Sequence, residues 1–249
     1  MPARLPTALP GVIIESPAAP AAWLRRRGLL TAAAGLLVGC AGPRQVGLMQ
    51  MSSFTPPPAS EPSPLVQGPQ AVAAALARGG YLIYLRHGRT QYDQIALERQ
   101  HRDQGTLDLA RCDTQRQLSD EGRAELRQAG GQFRLAGIPL DRAYTSRYCR
   151  AIESAAFFVD GAEPTDSLSG EAEVGKNPAQ KARTVAFLSQ RPVPGRNHFM
   201  VAHGGIFWEA TGLQIQEAHA VVLDPAPLGV AVARISPADW GSIALMRRQ

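Results

Sequence analysis

The sequence predicts a three-layer α/β/α sandwich built on a largely parallel central sheet, and three observations carry that expectation. Short apolar runs alternate along the chain with stretches of helical pattern, the order that builds parallel sheets with helices on both faces. The runs Tyr81–Leu85 and Phe199–Ala202 are continuously apolar, as in strands covered on both sides, and do not alternate with polar residues. The chain has 249 residues, 45% of them hydrophobic, which is enough to bury a sizeable core.

The folded part is preceded by segments of other kinds. Residues 23–42 read WLRRRGLLTAAAGLLVGCAG: a basic cluster at Arg25–Arg27, an apolar run from Leu29 to Val38, then Cys40. The run is too short to cross a bilayer core of about 30 Å as a helix. It has the layout of an export signal. Leu37-Val38-Gly39-Cys40 resembles a bacterial lipobox, which implies lipidation at Cys40, and Arg26-Arg27-Gly28-Leu29-Leu30 resembles a twin-arginine signal. Residues 41–69 are rich in Pro, Ser and Gly, with three consecutive prolines at Pro56–Pro58, a composition suited to a tether and not to a core. The sequence therefore divides into a lipoprotein signal (1–40), a tether (41–69) and one folded domain (70–249). The expected location is the periplasmic side of a bacterial membrane, held by an N-terminal lipid anchor.

Within the domain, alanine-rich Ala71–Arg78 is helix-prone, and Gly79-Gly80 ends it. Tyr81–Leu85 is the first strand. Arg86 to Gly105 is polar and without pattern. Ser119 caps a helix with Asp120 and Glu121 in its first turn; Ala124, Leu126, Ala129 and Phe133 follow, and the helix ends near Gly137. Arg142–Thr145 reads as a strand leading into a helix that runs through Phe158. A third strand is expected around Pro164–Leu168, a helix over Lys181–Leu188, and a strand over Phe199–Ala202. Ala220–Leu223 and Gly229–Ile235 read as the last strands.

Charge narrows the function. The formal net charge is +5, but five of the 26 basic and only two of the 21 acidic residues precede position 70, so the domain itself carries only +2. That balance does not suggest nucleic acid, and no nucleic-acid partner is expected. The positive charge is almost all arginine, whose planar fork suits carboxylate and phosphate oxygens.

Ligands of such sheets bind at the carboxyl ends of the strands. Arg86 and His87 follow the first apolar run, and His203 follows Phe199–Ala202. Each histidine is followed by a glycine, Gly88 or Gly204, that lets backbone or ligand approach closely. A third segment, Tyr144-Thr145-Ser146-Arg147-Tyr148-Cys149-Arg150, also leads from a strand end into a helix, whose N-terminus favours anions. Arg147 and Arg150 both lie in its first turns.

The three segments LRHGRT, SRYCRAIESA and VAHGG, in that order, resemble the histidine phosphatase (phosphoglycerate mutase-like) superfamily. The alignment of RAIESA favours Arg150 over Arg147. The resemblance implies a three-layer α/β fold, phosphoryl transfer through a phosphohistidine, and no metal or other cofactor. His87 is the implied nucleophile, Arg86 and Arg150 clamp the phosphoryl oxygens, and His203 completes the anion site. The leaving oxygen needs a proton donor. An acid directly after the late histidine motif is absent, since Gly204-Gly205-Ile206 follows. Glu171 and Glu173 are the two candidates, and spacing to Gly175 favours Glu171. The implied substrate is a small phosphorylated molecule. Export favours a hydrolase over a mutase. The rival reading is a lipoprotein that binds phosphorylated ligands without turnover.

Other motifs carry less. His101-Arg102-Asp103 resembles a kinase catalytic loop but has Asp108 where asparagine is required, and no glycine-rich phosphate loop precedes it. His101, Asp103 and Asp108 lack metal-ligand spacing, and His198 and His219 read as structural or exposed. The segment Arg89–Gln117 is expected to be a lid that selects substrate. Cys112 and Cys149 pair if the compartment is oxidising; otherwise they are separate buried thiols.

Overall fold

The computed structural model describes residues 68–170 and 177–248. The signal segment with Cys40, all of the tether but its last two residues, and both Glu171 and Glu173 lie outside the described residues.

Among the described residues the strands are β1 (Leu82–Arg86), β2 (Leu140–Ser146), β3 (Glu163–Thr165), β4 (Asn197–Ala202), β5 (Ala220–Asp224) and β6 (Val230–Ile235). The helices are α1 (Pro69–Arg78), α2 (Gln94–Asp103), α3 (Asp120–Ala136), α4 (Cys149–Ala156), α5 (Pro178–Leu188), α6 (Gly204–Thr211) and α7 (Asp239–Arg247). The six strands form one sheet in the order β3-β2-β4-β1-β5-β6. β3, β2, β4 and β1 pair in parallel, whereas β5 runs against both of its neighbours, β1 and β6. The expected mostly parallel α/β architecture is therefore present.

Alternate residues of the strands feed two cores. Ile83 and Leu85 of β1 join Phe199 and Val201 of β4 on one face, packed on Leu126 and Phe133 of α3, Ala151 of α4 and Trp240 of α7. Leu82 and Tyr84 join Met200 and Ala202 on the other face, packed on Leu188 of α5 and Phe207 of α6. Two buried faces on one sheet make three layers, and they explain why β1 and β4 read as unbroken apolar runs.

The helix signals act as expected. Ser119 Oγ accepts the Gly122 N–H at 3.0 Å, and Gly137 closes α3 with φ 57° in the left-handed region. Three helices go beyond the expected elements. α2 falls inside the segment read as irregular, because its one buried side chain is not apolar but the carboxylate of Glu98. α6 begins with Gly204-Gly205, weak helix formers; packing holds it, with the Phe207 ring 4.4 Å from that of Tyr84. α7 buries Trp240, Ile243 and Ala244 at helical spacing. Cys112 and Cys149 are joined in a disulfide that ties the turn after α2 to the first residue of α4. Among the described residues no helix is long and apolar enough to cross a membrane.

Candidate active site

Three adjacent parallel strands, β2, β4 and β1, end side by side, and the three motifs emerge from those ends. Arg86 is the last residue of β1 and pairs in register with Ala202, the last of β4. His87 N–H donates to Ala202 O at 2.9 Å. The two histidines thus start from neighbouring backbone positions, and their rings meet edge to face with centroids 5.3 Å apart. Ser146 ends β2, and its Oγ lies 2.8 Å from His203 Nε2. Tyr148 stacks its edge on His203 at 4.8 Å and lies under the Arg150 guanidinium at 4.4 Å. Arg86, His87, Arg150 and His203 are therefore gathered in one cluster.

A hydrogen bond to a carbonyl fixes the tautomer of His87, and His203 is paired with a hydroxyl. His87 Nδ1 lies 2.8 Å from Gly88 O, and a carbonyl only accepts, so Nδ1 carries the proton and Nε2 keeps its lone pair. Ser146 Oγ accepts from the Tyr148 N–H at 3.3 Å and is free to donate its hydroxyl to His203 Nε2. With the Ser146 hydroxyl as donor, the proton of His203 is on Nδ1. His203 Nδ1, Arg86 Nε and Arg150 Nε are all buried, with no hydrogen-bond partner among the described residues. Buried donors without acceptors are costly, and an anion bound in this cluster would supply acceptors.

Burial and positive charge act together on the two imidazoles. Desolvation first, then the Arg150 guanidinium, holds both His87 and His203 well below the ordinary histidine value of 6.5. Both are neutral at pH 7, as a nucleophile and a tautomer-specific donor must be. Burial also pushes Arg150 down to about 10, opposed by the nearby Glu98 carboxylate. Arg150 remains charged at neutral pH.

Two carboxylates complete the cluster. Arg150 Nη1 donates to Glu98 Oε2 at 2.6 Å, with both side chains 5% exposed. Glu98 Oε2 also accepts the Arg116 backbone N–H at 2.8 Å, and Arg102 Nη2 pairs with Glu98 Oε1 at 3.3 Å. Arg86 Nη2 donates to Glu217 Oε1 at 3.1 Å, and Nη1 to Ile215 O at 3.0 Å. A cavity of about 530 Å³ opens beside this end of the sheet, lined by residues that include Arg86, Arg89, Tyr92, Arg116, Glu217 and His219.

The glycines after the histidines serve packing. Neither Gly88 nor Gly204 takes a positive φ. A Cβ on Gly88 would meet Leu126 Cδ1 at 2.5 Å, and one on Gly204 would meet the Arg86 side chain at 3.2 Å. Arg147 is outside the cluster: its guanidinium pairs with Asp166 at 3.1 Å on the exposed surface. His198 is buried at the amino end of β4 against Asp141. Glu171, Glu173 and Cys40 lie outside the described residues. Among the described residues no group of three or more His, Cys, Asp or Glu side chains is placed to hold a metal.

Glu98, Arg116 and Glu217 are absent from the sequence motifs. Glu98 and Arg116 come from the unpatterned stretch between β1 and α3. The only hint at Glu98 is its place on the face of α2 that turns inward.

Residues 82–174 match the model of the histidine phosphatase superfamily (branch 1). No curated protein matches the chain. Among solved structures, the chain is similar to TTHB049 from Thermus thermophilus, with 19% identity over 63% of this chain and 99% of that one, at TM-score 0.41. It is similar to phosphoglycerate mutase from the same organism, with 18% identity over 63% and 98% and a TM-score of 0.42. The protein histidine phosphatase SixA complexed with tungstate gives 15% identity over 64% and 98%, at TM-score 0.43.

Proposed function

We propose that this chain is a phosphomonoesterase of the histidine phosphatase superfamily that works through a phosphohistidine at His87. One observation carries the reading: the His87 Nδ1–H is tied to Gly88 O, so the Nε2 lone pair is available in a cluster where Arg86 Nε, Arg150 Nε and His203 Nδ1 are buried with no hydrogen-bond partner among the described residues. The match over residues 82–174 supports the family.

The substrate phosphate is held by Arg86 and Arg150 through charge-assisted hydrogen bonds, with His203 Nδ1–H as a further donor. His87 Nε2 attacks phosphorus as the ester P–O bond breaks. The leaving oxygen takes a proton from a carboxylic acid, for which Glu171 is the first candidate and Glu173 the second. Water then attacks the phosphoryl group on His87, gives its proton to the same carboxylate, and releases inorganic phosphate with His87 neutral again. Glu98 and Glu217 hold the two clamp arginines in place through the hydrogen bonds described. The resemblance of residues 23–42 to a lipoprotein signal ending at Cys40 supports action on the periplasmic side of a bacterial membrane, with the enzyme lipid-anchored.

The test is release of inorganic phosphate from a panel of phosphate esters by wild type and His87→Ala. Hydrolysis by wild type that disappears in the variant supports the phosphatase. A wild type that binds phosphate but releases none from any ester sinks it and leaves the binding lipoprotein.

A further inference from the structure

We propose that Arg116 is a direct ligand of the transferred phosphoryl group, a third guanidinium of the anion site delivered by the segment between α2 and α3. The inference rests on the phosphate-site reading above and adds a residue that the motifs do not contain.

Its position follows from two neighbours. Arg116 and Arg86 line the same cavity. On its other side, Arg116 shares Glu98 with Arg150: the Arg116 backbone N–H and Arg150 Nη1 bond the same oxygen, Oε2, at 2.8 and 2.6 Å. Arg116 therefore adjoins both clamp arginines, through the cavity it shares with Arg86 and the carboxylate it shares with Arg150. Its side chain is 19% exposed, and its nearest carboxylate contact, Nε to Glu98 Oε1, is 4.0 Å, too long for a hydrogen bond. Arg116 Nε is buried with no hydrogen-bond partner among the described residues, as are Arg86 Nε and Arg150 Nε. The positive charge of Arg116 also lowers the proton affinity of Arg86, His87, Arg150 and His203, so it is felt at all four members of the cluster.

The fold holds the residue there without using its side chain. Gln115 is buried, and its Oε1 accepts the Cys149 N–H at 2.9 Å. The Gln117 N–H donates to Gln94 Oε1 at 2.7 Å. The Cys112–Cys149 disulfide fastens the same stretch to α4. The Glu98 contact to Arg116 is through the backbone, so any non-proline substitution keeps it. A guanidinium brought to the clamp by so many bonds to its neighbours, yet making no hydrogen bond of its own through Nε, is placed for an incoming acceptor.

The experiment measures the Kd of inorganic phosphate by calorimetry for the full chain and for Arg116→Ala, Arg116→Lys and Arg102→Ala, with thermal unfolding as the check on folding. Arg102 pairs with the same Glu98 carboxylate, so Arg102→Ala reports what disturbance of that carboxylate alone does. Arg116→Ala is expected to weaken phosphate binding by ~10- to 100-fold, the size of losing charge-assisted hydrogen bonds. Arg116→Lys is expected to fall between wild type and Arg116→Ala, because it keeps the charge and loses the fork. Arg102→Ala is expected to stay within about twofold. Folded Arg116→Ala within about twofold of wild type overturns the inference, as does Arg102→Ala weakening binding equally. If Arg116→Ala does not fold, Arg116→Lys decides, and affinity equal to wild type overturns the inference. Arg116-dependent phosphate binding without ester hydrolysis keeps this inference and refutes the phosphatase. Hydrolysis unaffected by Arg116→Ala does the reverse. A wild type that binds no phosphate refutes this inference, and ester hydrolysis then decides the phosphatase by itself.

Discussion

Four side chains form the proposed nucleophile and phosphate clamp, and each was legible because it sits at or just beyond the end of a strand pattern. Apolar runs end in Arg86-His87 and in His203, and the SRYCRAIESA segment places Arg150 in the first turn of α4. Replacing His87 by alanine is expected to cut phosphate release by roughly a thousandfold or more while leaving the fold intact, measured by steady-state assay and circular dichroism. Arg150→Lys keeps the charge but loses the planar fork offered to phosphate; kcat/KM is expected to fall by about tenfold or more. Because burial and Arg150 hold His87 well below 6.5, the nucleophile stays neutral into mildly acid solution, and its limb in the pH profile of kcat/KM lies below pH 6.5. Glu98 and Arg116 were not legible for a physical reason. Nothing in a polar helix such as α2 marks which of its charges is buried, since that depends on three arginines arriving from α2, α4 and the turn before α3.

Among the elements, α3 and α2 show what a sequence pattern can and cannot specify. The α3 signals are local: a serine cap, acids in the first turn, apolar positions at helical spacing and a glycine stop. α2 and α6 are held by tertiary contacts that no local pattern reports. Two adjacent glycines of α3 make a sharp comparison. A Cβ at Gly130 would lie 2.1 Å from Phe157 O in the chain leaving α4, while one at Gly131 meets nothing within 4 Å. Gly130→Ala is expected to destabilise by about 1–3 kcal/mol, because α3 and the end of α4 must separate. Gly131→Ala, on the exposed face, is expected to stabilise by up to about 1 kcal/mol. Chemical denaturation of the two variants decides, and an equal effect at both positions contradicts the packing described. Glu98→Ala is expected to cost about 3–5 kcal/mol, since it strands the buried Arg150 charge.

For the whole molecule, the sheet brings distant motifs together: β1, β4 and β2 lie side by side although β1 ends at Arg86, β2 begins only at Leu140 and β4 at Asn197. The alternation of strands and helices foretold the layers. The strand order, and the reversal of β5, were not foretold, because pairing partners are chosen by long-range packing. The disulfide closes the segment that carries Glu98 and Arg116 onto α4 across a sequence separation of 37. By the chain-entropy argument Cys112→Ser is expected to lower stability by about 3–4 kcal/mol, read as a lower Tm than oxidised wild type. Stability should also depend on pH in a stated sense. His87 and His203 have native pKa values depressed below the unfolded 6.5, so below that pH the unfolded chain binds protons that the native chain does not. Stability therefore falls as the pH drops below about 6.5, by up to about 1.4 kcal/mol per pH unit for each histidine, and the loss stops below the native values.

The central claim is a covalent phosphoryl group on His87, and trapping it tests that claim most directly. The protein is denatured in alkali during turnover of a phosphate ester, digested, and the phosphoryl group is located by mass spectrometry. The account predicts one phosphoryl group on the peptide containing His87, none in His87→Ala, and loss of the label in acid. Turnover with the label on His203, or with no labelled histidine under conditions that preserve phosphohistidine, contradicts it.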